Sequence, residues 1–443
     1  MSEIIDELPV DLTAGRIYAE GWQSWSPATW YPVTARGLRP DEEWQHLMRF
    51  RPGTPVTDDG VQGEGLLVVE QDTGEPARCY GTIDPLVVPT LTASLEGDRV
   101  VVRSTGPVSV RIHSDGAAAL AAYGDELAGT APAEPPTVWC SWYRYFEQVT
   151  DGDVLENLDA FARHDLAVDV VQVDDGWSTG LGEGLRESER FGSLLAVVDA
   201  IRSSGRRAGV WLAPFLVGEQ TTLARNCPEW LVGPAGHNWG QPLVGLDLTH
   251  PGVLELLDDG IRRLVDLGVD YFKLDFLYAG AVPGPRYQDI DAVTAYRDGL
   301  ALIRDAAGSD AYLVGCGAPL LPSLGLVDAM RVSPDTFHEG GEDGSTGLRG
   351  LMPLAARAWQ QGRFWVNDPD CVVVRPSYSQ RKRWVEAASG LGGLRSFSDR
   401  VAELDEWGLA TVRELLARGG SAGVLPGKRV RAAAQLAQGE RPA

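Results

Sequence analysis

Two textures of hydrophobic and polar positions divide the chain. Up to about residue 130, short apolar runs such as Gly65-Leu-Leu-Val-Val-Glu70 and Asp98-Arg-Val-Val-Val-Arg103 are broken by Gly, Pro and Asp. That spacing predicts an antiparallel, β-sandwich-like domain over residues 1–130. A Pro/Ala-rich stretch, Gly129–Thr137, reads as a linker. From Thr137, apolar runs alternate with longer amphipathic segments, which signals βα units. Strands are predicted at Val138–Tyr145, Val168–Val173, Ala208–Phe215, Asp270–Asp275, Ala311–Cys316, Ala329–Val332, Phe364–Asn367 and Gly393–Phe397. The clearest helical patterns between them are Asp153–Arg163, Leu194–Ser203, Val253–Leu267 and Val293–Ala307. About 35 residues per unit over eight strands predicts an α/β fold, a (β/α)8 TIM barrel over residues 137–421 preceded by the small antiparallel β domain. A doubly wound open sheet is the alternative, but its glycine fingerprint is absent. Residues 422–443, rich in Ala, Arg and Gln, are predicted to be a disordered tail.

A barrel of this kind carries its active site at the C-terminal ends of the strands. Those ends are rich in carboxylates and aromatic rings: Trp142-Tyr143, Asp174-Asp175, Trp211, Lys273-Leu-Asp275, Cys316-Gly317, Arg331 with Asp335, Asp368-Pro-Asp370 and Asp399. In a strand, positions i and i+2 face the same way, so Lys273 and Asp275 share one face of an apolar element. Such a rim suits a sugar, because carboxylates accept hydrogen bonds from hydroxyls and indoles stack on C–H faces. Each element also has a structural reading. Asp174-Asp175-Gly176 reads as a turn, Asn367–Asp370 as a helix-capping loop, and Cys316 as a small buried apolar residue. Trp142 and Trp211 read as core or, at strand ends, as pocket lining, and the stretch Trp22–Trp25 as β-domain core or the seam that packs it on the barrel. Asp275 and Asp335 are the pair able to divide acid and base work. Lys273 is expected to keep Asp275 ionised, and neighbouring carboxylates to favour a protonated Asp335.

Composition narrows the partners. The 443 residues carry a net charge of −23, against nucleic acid and anionic membrane as partners. The start, MSEIIDELPVDL, lacks the basic and apolar regions of a secretory signal, and no apolar run has membrane-span length. Five scattered cysteines and no CxxC point to free thiols in a cytoplasmic protein. Six histidines without HExxH, and no P-loop, give no metal or cofactor motif, so none is expected.

The ordered motifs WCSWY, QVDDGW, VWLAPF, FKLDF, GCGAPL, MRVSPD and NDPD resemble those of glycoside hydrolase family 36 α-galactosidases, the melibiases, and look closest to the shorter bacterial members. The resemblance runs from about Trp22 to Arg418. It implies a retaining exo-α-galactosidase for small α-galactosides of the melibiose or raffinose type. Asp275 would be the nucleophile and Asp335 the acid/base. Asp174 and Asp175 would hold the O4 and O6 side of the sugar. Lys273, Arg331, Trp211, Trp142 and Tyr143 would line its subsite, with Cys316 and Gly317 near C2. No cofactor is implied. A raffinose-synthase-type galactosyl transferase and an α-N-acetylgalactosaminidase share these residues, and a non-catalytic sugar-binding barrel is the reading of a different class. Two departures from the family pattern are expected, a short N-terminal domain and a C-terminal β domain that is missing or vestigial. Family members donate an N-terminal tryptophan to the pocket; Trp25 and Trp44 are the candidates. The polar segment Thr336–Ser345 is expected to be a lid.

Overall fold

The computed structural model describes residues 2–37, 43–54, 57, 59–336 and 350–425. The expected lid lies outside these from residue 337 on, and the expected tail from residue 426 on. Two antiparallel sheets come first. One has four strands, Glu3–Pro9, Val61–Glu64, Thr90–Glu96 and Arg99–Ser104. The other has five, Arg16–Ala19, Thr29–Pro32, Leu66–Glu70, Ala77–Gly81 and Ser109–His113. Leu8, Val61, Leu91 and Val100 of the first meet Ile17, Leu67, Val69 and Tyr80 of the second in one shared core. The uninterrupted run Leu66-Leu-Val-Val69 has a second use. Leu66 and Val68, on the opposite face of that strand, join the core that continues into the barrel. A strand apolar on both faces thus packs one layer against the other.

A helix not anticipated in the β segment, Gly116–Leu127, leads into the barrel. Its alanine-rich sequence favours helix, and Asp115 caps it by accepting from Ala118 N at 2.7 Å.

The eight barrel strands are β1 (Thr137–Cys140), β2 (Val170–Val173), β3 (Arg207–Leu212), β4 (Val269–Leu274), β5 (Tyr312–Gly315), β6 (Ala329–Arg331), β7 (Val366–Asp368) and β8 (Arg395–Phe397). They pair in parallel and in order from β1 to β7, and β8 pairs with β1. The seam between β7 and β8 is bridged by Gly393 N and Leu394 N, which donate to Asn367 O at 2.9 and 3.1 Å, and by Val372 against Phe397. All eight predicted strands are present; seven are shorter than read, and β4 keeps its length but begins one residue earlier. The largest difference is at β1, where Trp142–Tyr145 is a short helix rather than strand.

The barrel interior is layered by side chains. Val138, Val170, Tyr271, Tyr312, Ala329, Val366 and Leu394 form one closed cluster. Tyr271 and Tyr312 stack with centroids 5.7 Å apart, and a Cβ on Gly209 of β3 would lie 2.8 Å from the Tyr271 ring. Period-2 alternation along β4 then sets the rest: Tyr271 plugs the interior, Lys273 sits one layer up, and Asp275 reaches the mouth.

Between β3 and β4 the chain inserts a small antiparallel sheet, Leu216–Gly218, Leu231–Asn238 and Gln241–Leu246. The helix Glu43–Arg49 of the N-terminal region lies against it; Met48 closes on Gly236, where a Cβ would meet its Sδ at 2.8 Å.

Candidate active site

Asp275 follows the end of β4 and is 7% exposed. Its Oδ2 accepts from Trp211 Nε1 at 2.9 Å, and its Oδ1 from the backbone N–H of Phe276 at 2.8 Å. That second bond needs Phe276 in the left-handed region, at φ 52°. A non-glycine residue there costs about 1–3 kcal/mol, a cost that clusters at functional sites. Trp211 lies beside Lys273 in the β3–β4 register, which aims the indole at the end of the next strand. Cys316, buried below, has its thiol pushed well up by burial and then by the charge of Asp275.

Lys273 attracts Asp275 but takes its ion pair from the residue after β2. Its Nζ pairs with Asp174 Oδ2 at 2.9 Å, so its direct partner is not Asp275. Burial opposes the ammonium charge, but Asp174 and, more weakly, Asp275 outweigh it and hold the lysine protonated. Asp174 also accepts from Gln172 Nε2 at 2.6 Å, and its backbone N–H donates to Ser141 Oγ at 2.9 Å. Its Oδ2 is crowded with donors on the barrel wall, while its Oδ1 takes only the backbone N–H of Asp175 at 3.0 Å. Removing one partner of such a buried pair costs about 3–5 kcal/mol.

Asp175 points the other way. Its Oδ2 accepts from Trp239 Nε1 at 2.8 Å, and burial raises its pKa to about 6, against the lowering effect of that indole. Gly176 permits the turn. Its φ is 112°, and a Cβ there would press to 2.7 Å of the Glu147 carbonyl. Trp239 escaped sequence reading. It sits at the tip of the inserted hairpin, where Trp239 and Gly240 form the two-residue turn with φ 49° and 70°. Its ring packs edge-on to Trp211 (6.1 Å) and near Phe276 (5.2 Å).

Across the mouth, Arg331 ends β6 and holds three carboxylates. Its Nη1 lies 3.2 Å from Asp335 Oδ1, its Nε 3.1 Å from Asp368 Oδ2, and its Nη2 2.8 Å from Asp370 Oδ1. The Asp335 side chain is 51% exposed, while Arg331 and Asp370 are buried. Asp335 therefore faces a guanidinium as well as like charges. Tyr143, on the helix after β1, is buried and donates its hydroxyl to Asp370 Oδ2. Trp142 is partly exposed and packs edge-on to Phe146 at 5.2 Å. At the end of β8, Asp399 turns inward to Val374 N (2.7 Å) and Arg375 (3.0 Å), clamping the closing seam.

Of the two N-terminal tryptophans, Trp25 reaches this region. It packs edge-on to Phe276 at 5.1 Å and lies over Gly317, whose φ of 56° and missing Cβ let the indole approach to 3.1 Å of the Cβ position. The buried N–H of Trp25 has no hydrogen-bond partner among the described residues. Trp44 is exposed on the helix Glu43–Arg49. No group of three or more His, Cys, Asp or Glu among the described residues is placed to hold a metal ion.

Fold and rim define a class: a (β/α)8 barrel whose mouth is lined by carboxylates and indole rings, fronted by two antiparallel sheets. The matches to known proteins narrow it. Residues 132–303 match the Melibiase family model. A bifunctional α-galactosidase/sucrose kinase of Mediterraneibacter gnavus is 28% identical over 162 residues, 33% of this chain and 17% of that protein. An α-galactosidase of Escherichia coli is 26% identical over 25% of this chain and 17% of its own length. The matched stretches are thus about a sixth of these relatives. Among solved structures, the α-galactosidase of Thermus thermophilus in complex with stachyose superposes with a TM-score of 0.78. It is 29% identical and covers 94% of this chain and 93% of that one. The family match thus covers the first part of the barrel, while the likeness to a solved α-galactosidase runs along nearly the whole chain.

Proposed function

We propose that the chain is a retaining exo-α-galactosidase that removes terminal α-D-galactosyl residues from small galactosides by double displacement. The observation that carries this reading is the divided rim: a buried, doubly hydrogen-bonded Asp275 on β4 and a half-exposed Asp335 tied to β6 by Arg331. The full-length likeness to a Thermus thermophilus α-galactosidase, solved with p-nitrophenyl α-D-galactopyranoside and with stachyose, supports the sugar.

In the first step Asp275 attacks the anomeric carbon while Asp335 protonates the leaving oxygen. In the second, water takes the galactosyl group and gives its proton to Asp335. Asp174 and Asp175 accept from hydroxyls on the O4 and O6 side, with Lys273 and Arg331 beside them. Trp211, Trp142, Trp25 and Trp239 wall the sugar. Cys316 and Gly317 close the C2 side. Residues 137–421 form the catalytic unit. Five free thiols support a reducing, cytoplasmic compartment.

Proton NMR of an aryl α-D-galactoside digest tests the proposal. Galactose should appear first as the α anomer. A first-formed β anomer would contradict the role of Asp275, and no hydrolysis would revive the non-catalytic reading.

A further inference from the structure

Asp370 is a buried carboxylate to which the chemistry above gives no step. Three parts of the barrel meet on it. Its Oδ2 accepts from the Tyr143 hydroxyl and from Thr336 N at 2.8 Å, and Thr336 directly follows Asp335. Its Oδ1 accepts from Cys371 N at 2.7 Å and faces Arg331 Nη2 at 2.8 Å. Its own N–H donates to Asp368 Oδ1 at 2.9 Å, within the turn that follows β7. The backbone is left-handed, at φ 86°, in a residue with a side chain. A helix cap needs neither this strain nor four donors on a fully buried group.

Resting on the acid/base role of Asp335, we propose that Asp370 is the positioning residue of that acid/base. It pins the backbone after Asp335 and engages Arg331, so that the guanidinium is shared among Asp335, Asp368 and Asp370 rather than given to Asp335 alone. The charged and titratable groups facing it are Arg331, Asp335, Asp368 and Tyr143. Burial raises Asp370 to about 6, and Arg331 opposes that rise. Removing its charge leaves more of Arg331 to Asp335 and loosens the hold on the backbone that follows it, so the carboxyl is no longer held in place toward the leaving oxygen. An acid catalyst matters most when the leaving group is a poor one. The signature of lost positioning is therefore selective, not uniform.

The test compares kcat/KM of Asp370→Asn on melibiose, a poor leaving group, and on 2,4-dinitrophenyl α-D-galactoside, a good one. The expected loss on melibiose is at least tenfold greater than on the aryl substrate. Equal losses on both substrates would overturn the proposal. Asp335→Ala is the control for the underlying reading. It should show the same leaving-group selectivity more strongly, and azide should restore turnover of the aryl substrate. If Asp335→Ala is not selective, the acid/base assignment fails; if it is and Asp370→Asn is not, only the positioning role fails. Should Asp370→Asn not fold, Tyr143→Phe removes one donor to Asp370 without altering a buried charge. It should show the same selectivity, several-fold rather than tenfold, and equal losses there would also overturn the proposal.

Discussion

The two halves of the barrel mouth are built on opposite plans. On the β3–β4 side, Asp275 is buried, both of its oxygens are occupied by fixed donors, and the backbone beside it is strained to supply one of them. On the β6–β7 side, Asp335 is half exposed and held through one guanidinium, which is itself divided among three carboxylates. A group that forms a bond to carbon must be fixed and dry. A group that gives up and regains a proton must meet solvent and leaving group. The contrast in burial matches that division of labour.

The largest effect should come from the rigid side. Asp275→Ala should lower kcat by at least about a thousandfold without changing the thermal melt. If the variant keeps more than about a tenth of the activity, a loss under about 1.4 kcal/mol, Asp275 is not the attacking group. On the half-exposed side, Asp335→Ala should cost about 10²–10⁴ on melibiose and far less on a dinitrophenyl galactoside. Equal losses would erase the distinction between the two sides. Trp211→Phe is a finer probe of fixation. It removes the 2.9 Å bond to Asp275 while keeping an aromatic ring, and kcat should drop about tenfold or somewhat more, as expected for one hydrogen bond to a charged group. An unchanged kcat would show that the donor does not matter.

The smallest effect concerns binding. Asp175 is raised to about 6, so it is ionised above that pH and protonated below it. The carboxylate is the stronger acceptor for sugar hydroxyls. Inhibition by galactose should therefore weaken severalfold as pH falls from 7 to 5, and Asp175→Asn should flatten the dependence. A slope that persists in the variant would assign it to another group.

The strands were legible because parallel strands buried on both faces read as continuous apolar runs. Their ends were less so. The aromatic run from Trp142 to Phe146 keeps its apolar character through the turn, which hides the switch from strand to helix. The inserted hairpin was missed because Pro234 and Pro242 argue against strands, and a Trp-Gly pair is not a familiar hairpin turn. With it went Trp239, whose place beside Asp175 spans 64 positions of sequence. The i, i+2 rule put Lys273 and Asp275 on one face, but the partner of the lysine came from β2, 99 positions away. Asp370 illustrates the same limit: Tyr143 is 227 positions from it and Thr336 is 34. Alternation along one strand shows which way a side chain faces; only closure of the barrel shows what it meets.

The most direct test of the account is covalent trapping with 5-fluoro-α-D-galactosyl fluoride, whose second step is slowed, followed by peptide mass spectrometry. The account predicts a single galactosyl ester on the peptide containing Asp275, absent in Asp275→Ala and present in Asp335→Ala. A label on Asp335, or rapid turnover with no label under conditions that inactivate retaining enzymes, would contradict it.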